Sequence, residues 1–307
     1  MSLYGFFKGS GPNGFGYNST AEQVTDGLDL KGRTYLLTGC NSGLGEETLR
    51  VLTLRGARVI GAARSLDKAT AACAAVQGDT IPLACELSEP AHVRAAVETV
   101  RRLGIAIDGI IANAGIMALP KRELKLGYEL QFFTNHIGHF ILVTGLLDQL
   151  SDTGRVVMLS SAAHKGTYKE GIRFDDLAAE GGYTAWGAYG QSKLANLLFA
   201  RHLNTRLRKP GQVANAVHPG VIATNLSRHM NGGVQAVFRG IGPLLVLKSP
   251  AEGAATQCLV AAHPSTADVR GAYFADCDVA ESSKHGRDDA MAARLWEKSE
   301  EIVAGLQ

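Results

Sequence analysis

The sequence predicts one doubly wound α/β domain, a mostly parallel sheet with helices on both faces. Three observations carry that expectation. From residue 33 onward, short runs rich in Val, Ile and Leu alternate with longer helical patterns, the order that produces a parallel sheet. The first such run ends in a glycine-rich turn, Gly39-Cys40-Asn41-Ser42-Gly43-Leu44-Gly45, that opens a helix. The chain of 307 residues, 46% hydrophobic and 20% charged, also suits one large domain of this class.

Residues 1–29 read as an N-terminal arm. Its glycines allow mobility, whereas Tyr4, Phe6, Phe7, Phe15 and Tyr17 predict docking, in the plainest case on its own domain. Thr20 with Gln23 is a capping-box pattern that opens a short helix to about Gly27. Strand and helix then alternate. Strands are expected over Thr34–Leu37, Arg58–Ala62, Thr80–Ala84, Gly109–Ala112, Arg155–Leu159 and Val213–Val217. Gly271–Phe274 reads as a seventh. Between them lie helices over Gly43–Arg55, Leu66–Val76, Pro90–Leu103 and a long one over Leu126–Leu150. A further helix carries Tyr189 and runs to about Arg208, and 288–307 forms a C-terminal helix.

Composition excludes several classes. The net charge is +2 with no basic block, so nothing points to nucleic acid. Cys40, Cys73, Cys85, Cys258 and Cys277 are odd in number and lack C-x-x-C spacing. That argues against a disulfide framework or zinc site and suits a reducing compartment. No apolar run is long enough to span a membrane, and the start lacks signal-peptide character. The expectation is a cytoplasmic protein.

The glycine-rich turn stands where such a turn binds a dinucleotide, after a strand and before a helix. Gly39 permits the tight bend, Gly43 lets backbone approach the pyrophosphate, and Gly45 lets helix and strand pack closely. Asn41, Ser42 and Leu44 lie between them, where the helix N-terminus offers free N–H groups to phosphate. This is a Rossmann-type arrangement. An acid at the end of the second strand would grip a 2′-hydroxyl, whereas an Arg accommodates a 2′-phosphate. The strand ends Ala62-Ala63-Arg64-Ser65, with no carboxylate before Asp67. The expected cofactor is therefore NADP(H), with Arg64 on the phosphate, rather than NAD(H). The alternative is that Arg64 is only a solvated charge.

Tyr189 and Lys193 are four apart in a helical stretch, so phenol and ammonium share one face. A nearby cation favours phenolate and should lower the phenol pKa from roughly 10. Such a phenol is suited to general acid–base chemistry. Alone, the spacing equally describes a solvated helix face.

With the glycine-rich turn, Asn113-Ala114-Gly115, Asn135, Ser160-Ser161 and Tyr189/Lys193 in order, the chain resembles the short-chain dehydrogenase/reductases over about residues 30–280. Asn135-His136-Ile137-Gly138-His139-Phe140, Ala272-Tyr273-Phe274-Ala275-Asp276-Cys277 and the stretch from Gly14 to Glu22 look like the branch holding retinol dehydrogenases and the WW-domain oxidoreductase. The resemblance implies that Tyr189 exchanges a proton with a carbonyl or alcohol and that Lys193 tunes it and binds the nicotinamide ribose. Ser161, rather than Ser160, would hold the substrate oxygen. Asn135 would sit at a helix distortion and hold a water in a proton relay. Asn113, Ala114 and Gly115 would border the adenosine side, or serve packing only. Pro219, Gly220, Val221 and Thr224 would contact the nicotinamide end. Glu86 and Ala112 depart from the pattern, which usually has Asp and Asn there.

His136 and His139 have no third ligand at matching spacing, so structural histidines are expected rather than a metal site. Tyr168 and Trp186 either face substrate or pack. The apolar stretch 225–249, with Asn231-Gly232-Gly233 as a hinge, reads as a substrate lid or as a face buried elsewhere. The implied activity is hydride transfer between NADP(H) and a small hydrophobic ketone, aldehyde or alcohol, retinoid-, steroid- or terpenoid-like. Two alternatives remain at this stage. One is C=C reduction as in protochlorophyllide reductase, against which Ala195 counts, since those enzymes carry Cys there. The other is a non-catalytic cofactor-sensing scaffold. A homo-oligomer is compatible with the family, although the C-terminal helix could block a usual interface.

Overall fold

The computed structural model describes residues 9–222 and 248–306. Its main sheet contains β1 (Thr34–Thr38), β2 (Arg58–Ala63), β3 (Thr80–Ala84), β4 (Ile107–Ala112), β5 (Leu150–Leu159), β6 (Val213–His218), β7 (Tyr273–Ala275) and β8 (Asp278–Val279). Their spatial order is β3-β2-β1-β4-β5-β6-β7-β8. Every pair is parallel except β7–β8. The chain reverses its winding between β1 and β4, which creates a crevice at their C-terminal ends.

The helices are α1 (Ala21–Val24), α2 (Gly43–Leu54), α3 (Leu66–Ala74), α4 (Pro90–Arg102), α5 (130–145), α6 (Ala185–Leu203), α7 (Pro250–Ala262) and α8 (Asp289–Gly305). Alternation along the strands separates two apolar cores. Leu36, Ile60 and Ile110 face one layer with residues of α4, α5, α6 and α8. Tyr35, Leu37, Val59 and Ile111 face the other with residues of α1, α2 and α7. Both faces are thus buried, which explains strands that read as continuous apolar runs. Each buried Leu or Ile contributes roughly 1.5–3 kcal/mol by leaving water.

The seven expected strands are present, and β8 adds a short antiparallel edge. The expected long helix over Leu126–Leu150 is shorter. Leu124–Lys125 and Tyr128–Glu129 form a hairpin instead, and β5 already begins at Leu150. Within α5 the chain is α-helical over Leu130–Phe132 and Gly138–Gly145 but a π-helix over Phe133–Ile137. Helix α6 stops at Leu203 rather than near Arg208.

The described part of the N-terminal arm docks on its own chain. Tyr17 is buried, Phe15 packs edge-on against His263, and Asn13 Nδ2 donates to the Cys277 carbonyl at 2.7 Å. The Thr20/Gln23 capping box is present at the start of α1. Of the expected lid, 225–247 lie outside the described residues. Ser249 serves as the cap of α7, in a capping box with Glu252. The C-terminal helix α8 lies against α6, where Trp296 stacks on Phe199 at 5.5 Å.

Candidate active site

The turn after β1 is a cradle closed by missing side chains. Gly39 and Gly43 have φ of 70° and 55°, the left-handed region that favours glycine. A Cβ on Gly45 would lie 1.9 Å from the Gly39 carbonyl oxygen. Ser42 caps α2 by position without a side-chain hydrogen bond, which leaves the first N–H groups of the helix directed at the crevice. Asn41 and Ser42 are exposed beside them, and Leu44 is half-buried. Asn113 Nδ2 donates to the Thr38 carbonyl at 2.8 Å, and the Ala114 N–H donates to Thr38 Oγ1 at 3.0 Å. The segment after β4 is thereby tied to the turn after β1.

Pro219, Gly220 and Val221 follow β6 on the same side of the sheet. Gly220 has φ 92°, and a Cβ there would meet Lys248 Cδ at 2.7 Å. The Lys248 N–H donates to the Val221 carbonyl at 2.8 Å. A Cβ on Gly253 would touch both Leu44 and Ile222 at 2.6 Å, so the two loops meet over α7. Thr224 lies outside the described residues. Arg64 directly follows β2 as an exposed residue and forms no ion pair among the described residues. These features fit a dinucleotide: close backbone approach and an open helix N-terminus.

Helix α6 is capped by Thr184, whose hydroxyl accepts from the Gly187 N–H at 3.1 Å. It carries Tyr189 and Lys193 on one face, with Lys193 Nζ 5.7 Å from the centre of the Tyr189 ring. Ser160 and Ser161 end β5 and diverge. Ser160 Oγ donates to the Lys193 carbonyl at 2.8 Å and is buried. Ser161 Oγ accepts from the Ala163 N–H at 3.2 Å and stands near enough to the Tyr189 phenol to favour its ionised form. Lys193 Nζ donates to the Leu159 carbonyl at 3.0 Å, an acceptor shared with Asn196.

Electrostatics here differ from the expectation of a lowered phenol pKa. Burial pushes the Tyr189 phenol up to about 12, opposed by the nearby Ser161 hydroxyl. Burial also lowers Lys193 to about 8. Desolvation therefore governs both groups, and the phenol is protonated at neutral pH.

Asn135 lies in the π-helical turn, and its side chain is fully engaged. Oδ1 accepts from the Ile116 N–H at 2.8 Å, while Nδ2 donates to the Ile116 carbonyl and Ser192 Oγ, both at 2.9 Å. A Cβ on Gly115 would lie 3.0 Å from Asn135 Oδ1 and 3.4 Å from Lys193 Nζ. The segment 113–116, the π turn and α6 thus converge on one point. The Asn135 main-chain carbonyl receives His139 Nδ1 at 2.8 Å. Because that carbonyl only accepts, Nδ1 carries the proton, and Nε2 accepts from the Thr38 hydroxyl at 2.9 Å. Sequence reasoning named His139 only as structural and did not assign Thr38 or Ser192. Their signal was the polar side chain itself, at strand and helix positions where an apolar one would otherwise pack.

Burial lowers His136 to about 3 and His139 to about 4. Both rings are neutral in the fold, whereas an unfolded chain protonates them near pH 6.5. Their contribution to stability is complete above pH 6.5 and is lost as pH falls toward 4. With both rings taking up a proton only on unfolding, their share of the slope is about 2.7 kcal/mol per pH unit in that window, and His218 and His164, also lowered by burial, add to it. Urea unfolding at pH 7 and pH 5 reads it, and His136→Gln should lower the slope by about 1.4 kcal/mol per pH unit. A pH-independent midpoint would contradict the assignment.

One cluster beside this site was not anticipated. Lys248 is buried, lies 2.9 Å from Asp276 Oδ1 and sits over the Tyr17 ring at 4.4 Å. It pins the Gly220 loop from beneath and explains why Tyr17 of the arm is buried.

Comparison with known proteins agrees with this geometry. Residues 33–174 match the family model described as short chain dehydrogenase. The chain is 41% identical over the full length of both proteins to "Short-chain dehydrogenase TIC 32 A, chloroplastic" of Brassica napus. It is 35% identical to "Retinol dehydrogenase 14" of Homo sapiens, covering 91% of this chain and 88% of that protein. A crystal structure of a putative uncharacterized protein from Mycobacterium Paratuberculosis superposes with a TM-score of 0.73 at 33% identity, covering 92% of this chain and 97% of the other.

Proposed function

Because the chain belongs to the short-chain dehydrogenases, oxidoreductases that use a nicotinamide cofactor, we propose that it reduces a hydrophobic ketone or aldehyde with NADPH, or oxidises the corresponding alcohol. The observation that carries this reading is the shared position of Tyr189, Ser161 and Lys193 beside the glycine cradle. A bound nicotinamide supplies or accepts the hydride. Ser161 holds the substrate oxygen as negative charge grows on it. Tyr189, protonated at neutral pH, delivers its proton to that oxygen. Lys193 stabilises the phenolate left behind, and Asn135 fixes the segment 113–116 against α6. In the oxidative direction Tyr189 must first lose its proton, so that rate rises with pH. An apolar substrate is supported by the composition of 225–247 and by relatives whose names specify retinol, an apolar alcohol.

Gly39, Asn41, Ser42, Gly43, Leu44 and Gly45 would cradle the pyrophosphate. Asn113, Ala114 and Gly115 would line the adenosine side, and Pro219, Gly220, Val221 and Thr224 the nicotinamide end. Arg64 would hold the 2′-phosphate. A charge-assisted contact of this kind is worth roughly 1.5–3 kcal/mol. Arg64→Ala should therefore raise KM for NADPH about 10–100-fold and change KM for NADH little. Initial rates with each cofactor test this, and an equal change for both would show that Arg64 does not read the phosphate. Turnover of NADPH over a panel of apolar carbonyls tests the reading as a whole.

A further inference from the structure

We infer that Trp186 is a substrate platform that selects flat, conjugated carbonyl compounds, an inference that rests on the carbonyl reading above. Trp186, Tyr189 and Lys193 occupy positions i, i+3 and i+7 of α6 and so form one stripe along the helix. Exposure falls steadily down that stripe, from 51% at Trp186 to 7% at Tyr189 and 4% at Lys193. Lys193 lies at the floor, against Leu159 and close to Gly115 and Asn135. Trp186 is the exposed end of the stripe. Its ring meets the Tyr189 ring edge-to-face at 6.0 Å and 79°.

An indole half open to water on the first turn of a helix has a physical cost, because a large apolar face stays hydrated. Other large aromatics on this side of the sheet, Phe132, Phe133, Phe199 and Trp296, are buried. The contact with Tyr189 holds the indole in a fixed orientation next to the phenol that delivers the proton. A substrate whose carbonyl reaches Tyr189 and Ser161 must extend its remaining carbons out of the floor and along the stripe. A flat π system there stacks on the exposed indole face, whereas a saturated chain gains only apolar burial. The specificity is therefore for an aryl or polyene group conjugated to the reacting carbonyl.

The chain has two tryptophans, and Trp296 is buried in the opposite part of the α6 packing. Long-wavelength emission therefore reports Trp186. The test uses cinnamaldehyde and hexanal as substrates and cinnamamide as a ligand that nicotinamide does not reduce. For Trp186→Leu, KM for cinnamaldehyde should rise about tenfold and that for hexanal less than about threefold, with Trp186→Phe restoring most of the difference. Cinnamamide with NADP+ should quench the long-wavelength emission of the wild type, and Trp186→Phe should abolish that response. Equal changes in both KM values, or an emission unaffected by saturating cinnamamide, would overturn the platform. If no carbonyl is turned over but quenching persists, the catalytic reading fails while the platform stands.

Discussion

Tyr189→Phe is expected to lower kcat for carbonyl reduction by about 10²–10⁴, the usual worth of a positioned general acid. The substitution removes one oxygen and keeps the ring, so the edge-to-face contact with Trp186 and the burial of the site survive. Cofactor affinity should change less than about threefold, because the proposed cofactor contacts are mostly made by glycine backbone and Arg64. The wild-type pH profile follows from the neighbouring amine. The phenol itself stays protonated up to about 12. Lys193, lowered to about 8, loses its charge first. Above that pH the phenolate formed during proton delivery has no cation beside it, so reductive kcat should decline as pH rises through about 8. A Tyr189→Phe enzyme with unchanged kcat would remove the phenol from the mechanism.

Gly45→Ala is expected to abolish cofactor binding, at least 100-fold in Kd on an order-of-magnitude scale, and to destabilise the fold by about 3 kcal/mol. The new methyl would sit 1.9 Å from the Gly39 carbonyl oxygen, 2.7 Å from its carbon and 2.8 Å from Asn113 Nδ2. Two of those atoms are backbone, and the third is already bonded to the Thr38 carbonyl. None can retreat unless the turn opens, which would move Gly39, Gly43 and the segment 113–115 together. Gly305→Ala is the control: nothing lies within 4 Å of a Cβ there, and Ala near a helix end is harmless. Calorimetric titration with NADP+ and urea unfolding report both effects. Full cofactor affinity in Gly45→Ala would show that the close approach is not what forms the cradle.

The strand–helix alternation was legible because both faces of the sheet are buried, so each strand reads as an apolar run with helical spacing between runs. The left-handed turn at 39–45 and the shared helix face of Tyr189 and Lys193 were legible for a similar reason, since their geometry is local, whereas Ser161 was preferred to Ser160 on resemblance alone. Both missed hairpins share one cause. Leu126 has φ 51° before Gly127, and Asp276 and Cys277 have φ 53° and 64°. Two-residue hairpins of this kind normally announce themselves with Asn-Gly or Gly-Gly, and Leu and Cys hide the signal. The π turn at Asn135 was expected from resemblance and has no signature in spacing. The phenol pKa was misjudged because spacing reveals the neighbouring ammonium but not the burial that raises the phenol. The Lys248–Asp276–Tyr17 cluster joins three distant segments, which no local pattern can show.

The central claim is that Tyr189 protonates an oxygen while hydride reaches the carbon bearing it. The most direct measurement follows the label from NADPH deuterated at its transferable position, with cinnamaldehyde as substrate and the product read by mass spectrometry and NMR. The account predicts cinnamyl alcohol with one deuterium on the carbinol carbon, formed by the wild type and suppressed in Tyr189→Phe. Deuterium on the carbon β to an intact aldehyde, or label transfer that is indifferent to Tyr189, would contradict it.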